Sequence, residues 1–183
     1  MRKYIFVKVF LVFAFSYFFL SCDKTKVTSQ KTEDNNQPSQ IINDAHLLRS
    51  VNGIVDAELS SKKIEVYNTP DSSKMIFPQG VKVKFLNQDK TIKAVLTSLY
   101  AESLSNNLYY LKDSVVIVNY KDMDTIYCQD LYWIQDSAIV RTDLPLRRHS
   151  KGGIDYAKGL IASDDFESVE VKNPYGTQKV EEE

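Results

Sequence analysis

The feature that most constrains this chain is a two-residue rhythm of apolar and polar side chains, broken at short intervals by polar turns. Gly80-Val-Lys-Val-Lys-Phe85 sets Val81, Val83 and Phe85 on one side and Lys82 and Lys84 on the other. Successive side chains take opposite faces in an extended strand, whereas a helix repeats its apolar face every three to four residues. This segment is therefore read as a half-buried strand. The polar stretch Asn87-Gln-Asp-Lys90 follows, and then Thr91-Ile-Lys-Ala-Val-Leu-Thr97, so the pair predicts a hairpin.

Further strand-like runs follow at residues 99–104, 108–111, 115–120, 125–133, 138–140, 154–156 and 168–172, with Ser105-Asn-Asn107 as a further turn signal. The 11 tyrosines add to this, because aromatic and β-branched side chains fit a pleated surface. Many short strands separated by turns predict an all-β fold, a sandwich, roll or barrel. Helical periodicity is confined to two short candidates, residues 43–49 and 98–104.

A loose internal repeat narrows the choice. Thr91-Ile-Lys-Ala, Thr125-Ile-Tyr-Cys and Gly153-Ile-Asp-Tyr each open a unit, and Gly53-Ile-Val-Asp is a degenerate earlier copy. An apolar pair follows each of the first three: Leu99-Tyr100, Leu131-Tyr132 and Leu160-Ile161. Repeats of this kind point to stacked strand pairs, each burying its face against its neighbours, with open terminal edges that could accept strands from partners.

The ends read differently. Residues 1–21 have a basic start (Arg2, Lys3), an apolar stretch cleanest over residues 9–20, and Ser21 directly before Cys22. That is the layout of an export signal. The apolar run is shorter than the roughly 20 residues a membrane-spanning helix needs. A small residue before cysteine resembles a bacterial lipobox, which implies cleavage and acylation of Cys22 as a lipid anchor. Asp23 resembles an inner-membrane retention signal. Residues 22–40 read as a flexible tether, since after Cys22 they hold one apolar side chain, Val27. The folded domain is expected over residues 41–176, and an acidic, frayed tail over 177–183.

Charge and residue inventory exclude several classes. Removing residues 1–21 takes away Arg2, Lys3 and Lys8 and no acid, moving the net charge from −1 to −4. No basic footprint for nucleic acid or anionic lipid surfaces is present. With Cys22 assigned to the anchor, Cys128 stands alone in a strand and reads as a buried small hydrophobe. His46 and His149 lack metal-ligand neighbours at useful spacing. The serine-to-lysine spacing in Ser60-Ser-Lys-Lys63 lacks companion motifs. The pairs Asp122/Asp124 and Asp164/Asp165 are expected to be solvated turn carboxylates. No enzyme, cofactor or metal is expected.

Three segments, in their order and spacing, carry a resemblance. They are Phe77-Pro-Gln-Gly-Val-Lys-Val-Lys-Phe85, then Thr125-Ile-Tyr-Cys-Gln-Asp-Leu-Tyr-Trp133 with Arg141-Thr-Asp143, and then Gly159-Leu-Ile-Ala-Ser-Asp-Asp-Phe166 running to Val171-Lys-Asn-Pro-Tyr-Gly176. Over about Val51 to Gly176 the chain resembles the LptC family in its lipoprotein-signal form. The resemblance implies an antiparallel V-shaped β-roll, or β-jellyroll. Such a protein would be anchored at the inner membrane with its domain in the periplasm. It would receive lipopolysaccharide from an export ABC transporter through LptF/LptG-type permease subunits and pass it to an LptA-like bridge protein. The acyl chains of the cargo would lie between two sheets. An apolar strand face suited to them is offered by Val81, Val83, Phe85, Val116, Val118, Leu131, Trp133 and Leu160. Such faces usually serve as cores, and a roll that opens for lipid uses the same residues for both purposes. The rival reading is a structural envelope lipoprotein with a closed β-sandwich that meets partners only by its surface.

Overall fold

The computed structural model describes residues 37–69 and 72–178. Among them, twelve strands form one antiparallel sheet: β1 (Gln40–Val51), β2 (Ile54–Asn68), β3 (Ser73–Phe77), β4 (Val81–Leu86), β5 (Ile92–Ser98), β6 (Tyr100–Ser105), β7 (Leu108–Asn119), β8 (Asp124–Ile134), β9 (Ile139–Ser150), β10 (Gly153–Ser163), β11 (Val169–Val171) and β12 (Pro174–Gln178). The hairpin read from residues 80–97 is β4 and β5, with Val83 opposite Leu96. The domain is all-β, and no helix is present among the described residues.

This sheet folds on itself along a line of bends. β2 pairs with β4 through residues 57–60 and with β3 through residues 65–68. β7 pairs with β5 through residues 116–119 and with β6 through residues 108–112. Between those two halves stand Asp113 and Ser114, at φ 62° and 55°. β10 pairs with β12 before Gly159 and with β11 after it. β8 and β9 lose register at the same level, between Cys128 and Tyr132. Each long strand thus lends one half to a first sheet, which holds β4, β5 and β12, and the other half to a second sheet, which holds β3, β6 and β11.

Turning a strand this sharply frees backbone groups that need partners. Short hydroxyl side chains supply them. Ser61 Oγ lies 2.8 Å from the Gly80 carbonyl and 2.9 Å from that of Lys63, and the Ser98 hydroxyl donates to the Tyr100 carbonyl at 2.9 Å. Thr142 donates to the Asp130 carboxylate at 2.9 Å and accepts the Leu144 N–H at 3.2 Å. Gly80, at φ 79°, links β3 to β4 where a Cβ would come 2.3 Å from the Ser98 carbonyl oxygen, so no other residue fits without displacing backbone.

The two sheets face each other across a core of buried side chains. Phe85 of the first packs edge-on against Trp133 of the second, with ring centroids 5.7 Å apart. Phe77, Leu96, Leu111, Ile117, Leu131 and Leu160 are fully enclosed with them. Each such side chain contributes on the order of 1.5–3 kcal/mol through burial.

Two expectations are corrected. Residues 43–49 and 98–104 are extended, not helical. The first lie in β1, which pairs along its length with β2, and the second cross a bend into β6, which is held between β3 and β7. Strand pairing overrides the weak local periodicity of both. The chain after Pro174 is also ordered as far as Gln178, as an edge strand on β10. The expected export signal, most of the expected tether and residues 179–183 lie outside the described residues.

The repeat has a structural meaning. Gly53, Thr91, Thr125 and Gly153 stand at the starts of β2, β5, β8 and β10, which all run from the tips of the first sheet toward the bends. The apolar pairs Leu99-Tyr100, Leu131-Tyr132 and Leu160-Ile161 fall just past the bends. The repeated unit is a strand that turns the corner and its returning partner.

Candidate functional site

The space between the sheets is lined by ladders of opposed residues. In the second sheet Tyr109, Trp133, Val140, Ala162 and Val169 face one another in sequence across β7, β8, β9, β10 and β11. Phe77, Ala101, Leu111 and Leu131 form a parallel row. In the first sheet the row is Leu59, Val83, Leu96, Ile117, Ile126, Arg148 and Asp155, and beside it run Ala57, Phe85, Ala94, Asn119 and Asp124. The second sheet is apolar along these rows, interrupted only where Ser103 of β6 stands opposite Tyr109 and Thr142 of β9 opposite Leu160. In the first, polar residues enter at Asn119 in one row and at Arg148 in the other, while Val115, Cys128, Leu146 and Ala157 keep an apolar row next to the bends.

Of the lining residues expected from sequence, Val81, Val83, Phe85, Leu131, Trp133 and Leu160 are buried on these inner faces. Val116 and Val118 are not, and this is a correction. Val118 lies opposite Val95 and Thr125, and Val116 opposite Thr97 and Tyr127, all on the outer face, while Val115 and Ile117 point inward. The run Val115-Val-Ile-Val118 is apolar throughout, so alternation gives no phase, and a slip of one residue exchanges the faces.

One member of each acidic pair differs from expectation, while Asp122 is exposed in a turn as expected. Asp124 and Asp164 are each only 4% exposed, and both are paired. Asp124 accepts from the Arg148 guanidinium. Burial without such a partner would be costly for a carboxylate. Asp164 accepts from Arg49 Nη1 at 2.5 Å and from the Trp133 indole N–H at 3.2 Å.

Asp164 begins the loop between β10 and β11, which reaches from the second sheet to the first across the open side opposite the bends. Phe166 is fully buried beneath this loop, its ring 5.6 Å from that of Phe85. Its carbonyl accepts from Asn119 Nδ2 at 3.1 Å. Lys93 of β5 reaches Asp165 and Glu167, each at 3.1 Å. Arg49 of β1 binds Asp56 at 2.7 Å as well as Asp164, and its guanidinium lies 5.3 Å from the centre of the Trp133 ring. Burial works against the charges on Arg49 and Lys93, but hydrogen bonds to their carboxylates outweigh it, and both are held above their ordinary values. Asp165 behaves in the same way with opposite sign: burial works against its charge, bonds from Ser163, the Glu167 N–H and Lys93 prevail, and the carboxyl lies below the usual range. A cleft of about 500 Å³ lies at this rim, with Phe85 at its floor and Arg49, Lys93 and the loop acids on its walls.

None of the six residues Arg49, Lys93, Asp164, Asp165, Phe166 and Glu167 was assigned a site role by sequence reasoning. The available signal was an aromatic side chain set among acids in Asp164-Asp-Phe-Glu167, a poor composition for a freely solvated turn. Cys128 follows expectation. It is buried, and burial, with a smaller contribution from Asp130, pushes its thiol up to about 12. Cys22 lies outside the described residues.

A family profile described as lipopolysaccharide-assembly, LptC-related, matches residues 6–178. Among curated proteins, none matches the sequence.

Proposed function

Because the chain belongs to the LptC-related family of lipopolysaccharide-assembly proteins, we propose that it is the membrane-anchored relay of lipopolysaccharide export. In this reading it is held at the inner membrane by acyl chains on Cys22, with its domain in the periplasm. It receives lipopolysaccharide from the export ABC transporter through LptF/LptG-type permease subunits. It then passes the lipid to an LptA-like bridge protein. In this reading the energy comes from the transporter's ATPase.

The observation that carries this reading is the pair of apolar rows in the second sheet, facing Val83, Phe85 and Leu96 of the first. Hydrocarbon tails need a continuous apolar wall, because every unpaired polar group along it would lose hydration without return. A wall of Tyr109, Trp133, Val140, Ala162 and Val169 meets that need across five strands.

Photo-crosslinking in cells tests it. A benzophenone side chain at Tyr109 or Trp133 captures lipopolysaccharide, and the same group at the outward-facing Val118 does not. Silence at both inner positions, or equal capture at Val118, overturns the reading. Mass spectrometry of the mature N-terminus tests the anchor separately: an unmodified or uncleaved Cys22 removes it.

A further inference from the structure

The loop that crosses the open side has a composition of its own: three carboxylates around one phenyl ring. That is the chemistry of an anionic amphiphile, a charged head on a hydrocarbon body. The ring lies under Phe85, at the inner wall, and the charges lie on Arg49 and Lys93, at the rim. We propose that the 164–168 loop is an internal stand-in for the lipid cargo. Phe166 holds the place of an acyl chain, and the loop carboxylates occupy the two cations that bind the cargo's phosphate groups once the loop swings out. This inference rests on the relay reading above and adds to it a headgroup site and an autoinhibitory contact.

Three observations support it. The first is charge balance at the rim. With the loop in place, Arg49 and Lys93 face four carboxylates, Asp56, Asp164, Asp165 and Glu167. The rim then repels anions. With the loop displaced, the two cations face Asp56 alone, and the sign of the rim reverses. An anionic headgroup would thus be admitted only when the loop leaves.

The second is the manner in which the loop is held. Its links to the first sheet are the Phe166 ring, one carbonyl bond from Asn119, and ion pairs to Arg49 and Lys93. Backbone bonds hold only its two ends, from the Asp164 N–H to the Ala138 carbonyl at 2.8 Å and from the Ser168 carbonyl to the Ser163 N–H at 2.9 Å, so the stretch between them can move without unpairing a strand. Phe166 also sits at φ 57°, a conformation uncommon for an aromatic residue. The ring is therefore kept in place by its surroundings rather than by its own backbone preference.

The third is proximity. Asp164 Oδ2 touches both Arg49 and the Trp133 indole N–H, so one carboxylate joins the headgroup position to the apolar wall. A phosphate replacing it would be joined to its own hydrocarbon at the same point. Arg49 and Lys93 carry their charge throughout the physiological range, so no titration is required for the exchange.

The chain has one tryptophan, which makes its emission a direct reporter of the wall. The test uses the full-length protein in detergent, titrated with purified lipopolysaccharide and with its dephosphorylated form. Asp165→Asn with Glu167→Gln weakens the loop without touching the core. Two results are expected of this double variant: increased acrylamide quenching of Trp133 without ligand, and a midpoint for phosphorylated lipopolysaccharide lowered about fivefold, at the low end of coupling between two states. Lys93→Gln is expected to open the loop likewise but to lose the preference for the phosphorylated form. An unchanged midpoint in the double variant, or an undiminished phosphate preference in Lys93→Gln, overturns the inference while leaving the relay standing. If the wild type binds neither form, and inner crosslinkers capture nothing, the relay reading falls and this inference falls with it.

Discussion

The two sheets share β1, β2 and β7 to β10, yet their interiors are unlike. In the second sheet the inner rows run out to Val169 and Val171 with uncharged side chains, Thr142 being the polar one among them. In the first, the same strands bring Asn119, Asp124, Arg148 and Asp155 to the inner face. β8 shows how. Its inward residues are Asp124, Ile126 and Cys128 before the bend and Leu131 and Trp133 after it, so the bend moves the inner face from even to odd positions. One strand can thus present a partly polar wall on one side of the corner and an apolar wall on the other. For an amphiphilic cargo this gives two different surfaces at one opening.

The largest expected effect comes from breaking the apolar side. Trp133→Ala removes the edge contact to Phe85 and the bond to Asp164, and should cost about 3–5 kcal/mol of unfolding free energy in urea titration. A cost near zero would mean that the two sheets do not depend on each other for packing. The polar side is tested next. Arg148→Leu leaves the buried Asp124 carboxylate without its partner and should cost about 2–3 kcal/mol. Adding Asp124→Asn should recover more than half of that loss, since the penalty lies in the stranded charge. The smallest effect concerns the boundary between the two walls. Cys128, with its thiol at about 12, should resist alkylation by iodoacetamide at about pH 8 in the folded protein and react readily in urea. Fast reaction in the folded state would place that boundary in contact with water.

The strands themselves were legible because alternation is a direct image of a pleated surface. Val81, Val83 and Phe85 landed on the inner face as read, and Lys82 and Lys84 on the outer. Two things were not legible. Val116 and Val118 carried no phase, as every neighbour was apolar. The bends were hidden because nothing in single-residue patterning marks Asp44 or Asp113-Ser114 as left-handed backbone, and such residues reset the rhythm mid-strand. The rim escaped for a different reason. Lys93 and Asp165 are 72 positions apart, and Arg49 and Asp164 are 115 apart. Pairings of that range are made by the stacking of repeats and leave no local mark.

The alignment of the bends has a mechanical consequence. The β7–β8, β8–β9 and β9–β10 ladders all lose register at the corner, so the angle between the two walls is set by a few residues such as Asp113, Ser114 and Gly159. Widening that angle strains this spine but unpairs no strand. The resistance comes from the contents, the rings and methyl groups wedged between the covers, and a guest that supplies equivalent hydrocarbon takes over their work as they part.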